Sequence, residues 1–146
     1  MFRLCETVSS VLRGFVPLTL RLAPLEAACA ALPSTWMVVQ WGGLHVWKVG
    51  PEGDARSKMF AVLSEEGSAN GPRTGVGATA TLKVAPGREP ILRELPGVVT
   101  APHLPRGGWL MFGDGWEEGE EAIAAYLAES HAIVGATLPV KLRPPA

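Results

Sequence analysis

The stretch QWGGLHVWKVGPEGDARSKMFAVL, residues 40–63, decides how the chain is read. It contains two short runs rich in β-branched and aromatic residues, LHVWKV (44–49) and KMFAVL (58–63), joined by a polar connection. Such runs favour strands, and side chains on a strand alternate between its faces. In the first run Val46 and Lys48 share one face, with His45, Trp47 and Val49 on the other. In the second, strict alternation sets Lys58, Phe60 and Val62 against Met59, Ala61 and Leu63. A basic, aromatic-bearing hairpin of this kind is either a contact surface for a nucleic-acid backbone or the solvated side of a small sheet.

Working outward, residues 36–41 (WMVVQW) form a preceding strand, turned back by Gly42 and Gly43. Upstream, a helix is predicted over 24–32, with Pro24 in its first turn and Pro33 beyond its end. Leu25, Cys29 and Leu32 face the core there, and the intervening alanines supply helix propensity. Leu4, Val8, Val11, Leu12 and Phe15 recur at helical spacing until Gly14 and Pro17 interrupt them. Residues 1–22 are therefore expected to be an N-terminal extension, a short helix or a poorly ordered segment.

Downstream, residues 64–77 (SEEGSANGPRTGVG) lack apolar periodicity and read as a mobile loop or an extended hairpin tip around Asn70 and Gly71. A strand is predicted over 78–84 and a short helix over 86–95, stopped by Pro96 and Gly97. An irregular span holding Pro102, His103 and Pro105 leads to a strand over 109–112. Asp114, with Glu117 three residues on, has the spacing of a capping box for the final helical region. Ile123, Tyr126, Leu127, Ser130, Val134 and Leu138 trace one stripe of that region to Pro139, with a bend near Gly135. Helix, several antiparallel strands, then helices define an α+β class with helices packed on one sheet face. Long helices do not alternate with strands, so a doubly wound sheet is excluded.

The chain of 146 residues is one domain's length and long enough to bury a core. Thirteen basic and 14 acidic residues give a formal charge of −1, with Glu117, Glu118, Glu120 and Glu121 clustered late. No whole-chain excess of Lys and Arg provides the footprint of non-specific nucleic-acid binding, so only a local patch can supply it. Cys5 and Cys29 lie in separate apolar segments and are expected to be buried free thiols, which points to a reducing, cytoplasmic compartment. No apolar run approaches the ~20 residues of a membrane span, and no secretory-signal pattern opens the chain.

His45, His103 and His131 do not form HExxH or another metal-ligand spacing. Gly71, Gly75 and Gly77 lack the phosphate-loop pattern, and no serine sits in GxSxG. Without an activated nucleophile or paired carboxylates, a non-catalytic role without metal or cofactor is expected. Of the tryptophans, Trp47 is expected in the core, whereas Trp109, after a glycine pair, suits a pocket wall.

The pieces ACAALP (28–33), WGGLHVWKV (41–49), SKMFAVL (57–63), TLKV (81–84) with Pro86, LPGVVTAPHL (95–104), RGGW (106–109) and AYLAESHAIVGATLP (125–139) occur in an order and spacing that resembles the MmcQ/YjbR family of small bacterial proteins, over about residues 24–139. The resemblance implies a CyaY-like (frataxin-like) single domain over 23–140, followed by a tail at 141–146. It also implies DNA binding, with roles for Lys48, Lys58, Lys83 and the Arg106, Gly107, Gly108, Trp109 turn. Two departures stand out: GPEGDARS (50–57) replaces the family's usual tight turn, and His131 stands where tyrosine is common. The nucleic-acid reading thus names Lys48, Arg56, Lys58, Arg73, Lys83, Arg106 and Trp109, binding DNA weakly and salt-dependently as a binding or regulatory module. The alternative is a protein- or small-ligand-binding module with a pocket near His103, Arg106 and Trp109; an enzyme is the remoter option.

Overall fold

The computed structural model describes residues 20–65, 77–104 and 106–145. The amphipathic repeat at residues 4–15, Cys5, and the loop segment holding Arg73 lie outside them. Helix α1 (Leu22–Ala30) leads into strands β1 (Thr35–Gln40), β2 (Leu44–Val49), β3 (Lys58–Ser64) and β4 (Thr79–Lys83). A short helix α2 (Glu89–Leu92), strands β5 (Val98–Thr100) and β6 (Trp109–Phe112), helix α3 (Gly119–Gly135) and a 3₁₀ turn (Val140–Leu142) complete the order. The six strands form one antiparallel sheet in the order β1-β2-β3-β4-β6-β5. The α+β class is as expected, with α1 and α3 packed together against one sheet face.

The core lies between that face and the helices. Leu25 and Cys29 of α1 and Ile123, Leu127 and Val134 of α3 meet Val49, Phe60, Leu63, Leu82 and Phe112 of the sheet. Phe60 and Phe112 are fully enclosed, and each such side chain contributes about 2–3 kcal/mol by leaving water. Phe112 also packs edge-on against Trp116 and stacks on Tyr126. The α3 stripe faces this core as its periodicity predicts.

One register feature departs from strict alternation. Trp47 pairs with Ala61 while its neighbour Lys48 pairs with Met59, leaving Phe60 as the extra residue of a β-bulge. Phe60 and Ala61 consequently both point to the helices, while Met59 and Val62 both point to the opposite face. The grouping of Lys58, Phe60 and Val62 on one face is therefore corrected: Val62 is on the other side. Backbone polar groups left without ladder partners need others, and beside the bulge Ser130 of α3 bridges β3 and β4. The β3–β4 ladder ends at the Ala61–Leu82 pair. Just beyond, the buried Ser130 hydroxyl donates to the Phe60 carbonyl (2.6 Å) and accepts from the Lys83 N–H (2.9 Å).

Three further differences have local causes. Strand β5 occupies Val98–Thr100, inside the span read as irregular. Gly97 makes it possible, since a Cβ there would clash with the Trp116 backbone nitrogen and its φ of +81° suits glycine. Asp114 does not cap α3: the helix starts at Gly119 with Glu118 at the N-cap and no side-chain cap bond. The Trp116 indole N–H instead donates to the Gly119 carbonyl (2.8 Å). Near Gly135 the helix stops rather than bends, and Leu138 reaches the core from the following turn.

Candidate functional site

Among the described residues no helix packs on the sheet face turned away from α1 and α3, although Val46, Val62, Ser64, Thr79, Thr81 and Met111 on it are buried. Cross-strand pairs arrange its side chains in three rows. Gln40, Leu44, Ser64 and Thr79 form the first; Val38, Val46, Val62, Thr81, Met111 and Val99 the second. The third holds Trp36 and Lys48, then Met59, then Lys83 and Trp109. No Asp or Glu occupies a position in these rows, so Lys48 and Lys83 are the only ionised side chains there.

A groove of about 420 Å³ runs over the first two rows. Leu44, Met59, Val62 and Met111 give it an apolar floor, and Ser64, Thr79 and Thr81 place hydroxyls within it. Ser64 and Thr79 are buried and hydrogen-bonded to each other. The segment 101–104 after β5 forms one flank, with His103 exposed on it, and Trp41 forms another. Trp41 sits in the β1–β2 turn at a φ of +52°, a left-handed conformation that costs a bulky residue about 1–2 kcal/mol. Its side chain is also 56% exposed, so neither backbone preference nor core burial accounts for tryptophan at this position.

The named residues fall into distinct places. Lys48 and Lys83 share the open face, each over an indole: Lys48 Nζ is 5.2 Å from the Trp36 ring centre and Lys83 Nζ 5.8 Å from that of Trp109. A cation–π contact at an exposed site is worth about 0.5–1 kcal/mol. Neither ammonium makes an ion pair among the described residues. Lys58 lies elsewhere. It pairs with the core residue Val49, and its Nζ donates to the Thr137 hydroxyl (3.1 Å) at the C-terminal end of α3, where a cation satisfies orphan carbonyls and the helix dipole.

Arg56 is held inside the connection between β2 and β3. Its guanidinium donates to both carboxylate oxygens of Asp54 (3.1 and 2.8 Å). That pairing holds the Asp54 carboxyl down at about 2 and raises Arg56. Arg106 is exposed in the turn before β6, and Gly107 lies against Lys83 and the Trp109 ring. Of His103, Arg106 and Trp109, only His103 lines the groove. The lysine face and the pocket thus adjoin, but neither has the membership read from sequence.

One cluster on the helix side escaped the sequence reading. Glu26 of α1 accepts hydrogen bonds from His45 Nδ1 (3.0 Å) and the Trp47 indole N–H (2.9 Å), fixing β2 to the helix. The shared strand face of His45 and Trp47 pointed to it; the acceptor, 19 residues before His45, did not. His131, the departure from tyrosine, donates from Nε2 to the Pro33 carbonyl (2.7 Å) and packs edge-on against Phe60. Cys29 is buried, and burial first and the nearby Glu26 carboxylate second push its thiol up to about 12. Among the described residues, no group of three or more His, Cys, Asp or Glu is placed to hold a metal ion, and no helix is long and apolar enough to cross a membrane.

The fold and site define a class: an α+β domain with one antiparallel sheet, helices on one face, and a grooved second face. The YjbR family model matches residues 30–133. The chain belongs to the MmcQ/YjbR family. It is also similar to a crystal structure of a protein from Pseudomonas syringae, at 21% identity and a TM-score of 0.51, over 68% of this chain and 86% of that one. At that identity the likeness concerns the fold. No match is found among curated proteins.

Proposed function

We propose that the protein is a non-catalytic binding module that takes a small ligand in the groove of its open sheet face. The observation that carries this is the groove itself: an apolar concavity of about 420 Å³ whose lining also includes Ser64, Thr79 and Thr81. Ligand sites typically combine an apolar lining with a few placed polar groups. The strained, exposed Trp41 at its flank adds support, because local strain concentrates at functional positions. A small-molecule fragment screen by saturation-transfer NMR, with hits mapped by amide shifts, tests it. Hits should perturb Trp41, Val62, Thr81 and Met111 and weaken several-fold in Trp41→Ala; hits confined to the helix side would sink the proposal.

The nucleic-acid reading keeps one specific support, the two Lys–Trp pairs on the open face. With Lys58 on the helix side and Arg56 tied to Asp54, Lys48, Lys83 and the exposed Arg106 remain from that set among the described residues. Duplex binding through them should weaken with a log–log salt slope of about −3. Fluorescence anisotropy with labelled single- and double-stranded DNA distinguishes the cases. Loss of binding in Lys48→Ala/Lys83→Ala but not in Lys58→Ala would support this reading, and no saturable binding at low salt would end it. The finer architectural inference, a CyaY-like fold, is supported by α1 and α3 packing together on one sheet face. Superposition of an experimental structure on frataxin-like domains checks it, and a different strand order would refute it.

A further inference from the structure

Resting on the groove-binding reading, we infer that the ligand is a free amphipathic organic anion: an aliphatic body in the groove and one carboxylate head held by Lys48 and Lys83. The groove floor ends at Met59, which pairs directly with Lys48. On β4, the groove residue Thr81 is followed on the same face by Lys83. The two lysines therefore sit one step along their strands beyond the Met59 end of the mostly apolar groove, each ammonium over an indole on its outer side. From the Ser64–Thr79 row to the lysine row is about 13 Å along the strands, the scale of a medium-length chain with a head group.

Charge selects the head. No carboxylate occupies the open-face rows, and neither lysine makes an ion pair among the described residues. Each ammonium rests over an indole instead, a weak contact that a charge-assisted hydrogen bond to a carboxylate exceeds. A compact inorganic anion leaves the apolar floor unused, and a long polyanion finds too few cations. A neutral aliphatic molecule fills the floor but leaves the lysines unused.

Methionine methyl NMR on the full chain tests this, because Met59 and Met111 line the groove whereas Met37 packs on the helix side. Titration with octanoate at pH 7 should shift the Met59 and Met111 methyls saturably and leave Met37 unmoved. Octan-1-ol, with the same chain and no charge, should bind about tenfold more weakly, and Lys48→Gln/Lys83→Gln should bring octanoate to the level of octanol. Equal affinity for octanoate and octanol in the wild-type protein would overturn the head-group assignment while leaving groove binding intact. Failure of both compounds to move Met59 or Met111 would overturn both readings, and shifts centred on Met37 would place binding away from this face.

Discussion

Replacing Ser130 by alanine removes the hydroxyl that bridges the Phe60 carbonyl of β3 and the Lys83 N–H of β4 beside the bulge. Ser130 is fully buried, and its oxygen bonds the Phe60 carbonyl at 2.6 Å and the Lys83 N–H at 2.9 Å. Alanine deletes the hydroxyl without opening the site to solvent, so one buried acceptor and one donor lose their partner. Each unsatisfied group costs about 1–3 kcal/mol, giving a loss of roughly 2–6 kcal/mol against a typical total stability of about 5–15 kcal/mol. For a domain of this size, at about 3 °C per kcal/mol, that lowers Tm by roughly 6–18 °C. Urea denaturation followed by far-UV circular dichroism measures the loss, and amide exchange at Lys83 should accelerate in parallel. A loss under about 0.5 kcal/mol, with Lys83 exchange unchanged, would refute the role assigned to Ser130.

Glu26→Gln leaves one carboxamide oxygen where two carboxylate oxygens now accept from His45 and Trp47. A loss of about 1–3 kcal/mol is expected, with a shifted Trp47 indole N–H resonance; an unshifted resonance would show that Glu26 is not its acceptor. In a Cys5→Ser background, Cys29 should resist thiol reagents in native protein and react on unfolding, because its thiol is buried and pushed up to about 12; fast native labelling would contradict that burial. The Asp54 carboxyl, held by Arg56 at about 2 in place of its ordinary 3.8, should titrate near that lower value by carboxyl NMR. A depressed carboxylate stabilises the fold above its unfolded pKa, and the contribution disappears as pH falls from near 4 through about 2. The midpoint should return to the ordinary value in Arg56→Ala; an unchanged midpoint would show that Arg56 is not the cause.

Much of the fold was legible because its signals are local. Alternation placed Trp47 and Val49 in the core and Lys48 outside, and the stripe from Ile123 to Val134 marked the buried side of α3. The bulge was not legible, since the group that stabilises it lies 70 residues from Phe60 in sequence. Strand β5 is too short to show a period, and its access depends on Gly97 meeting the backbone at Trp116. The candidate site was legible only in part. Lys48 and Lys83 were named, but the groove between β2 and β6 is assembled from strands, a turn and the 101–104 segment. Ser64 reads from sequence as the start of a loop and Thr79 and Thr81 as ordinary strand residues, until strand order places them around one concavity.

The single extra residue in β3 also decides which chemistry the open face offers. Because strand periodicity is two, a one-residue slip exchanges faces for every position beyond it. From Met59 onward the bulge keeps Val62 and Ser64 on the open face, continuous with Leu44 on one side and Thr81 on the other. On the other side of the bulge, Lys58 faces the helices and meets Thr137 at the end of α3. Without that offset, alternation carried back from Val62 would place Phe60 and Lys58 on the open face and turn Met59 toward the helices. The face would then present three lysines with a phenylalanine across the groove floor, a surface suited to an extended polyanion. With the offset, Met59 and Val62 join its mostly apolar floor and Lys48 and Lys83 are its only lysines among the described residues. Ser130, which bonds the Phe60 carbonyl and the Lys83 N–H from the opposite layer, therefore sits at the residue whose offset sorts Lys58 away from the groove face.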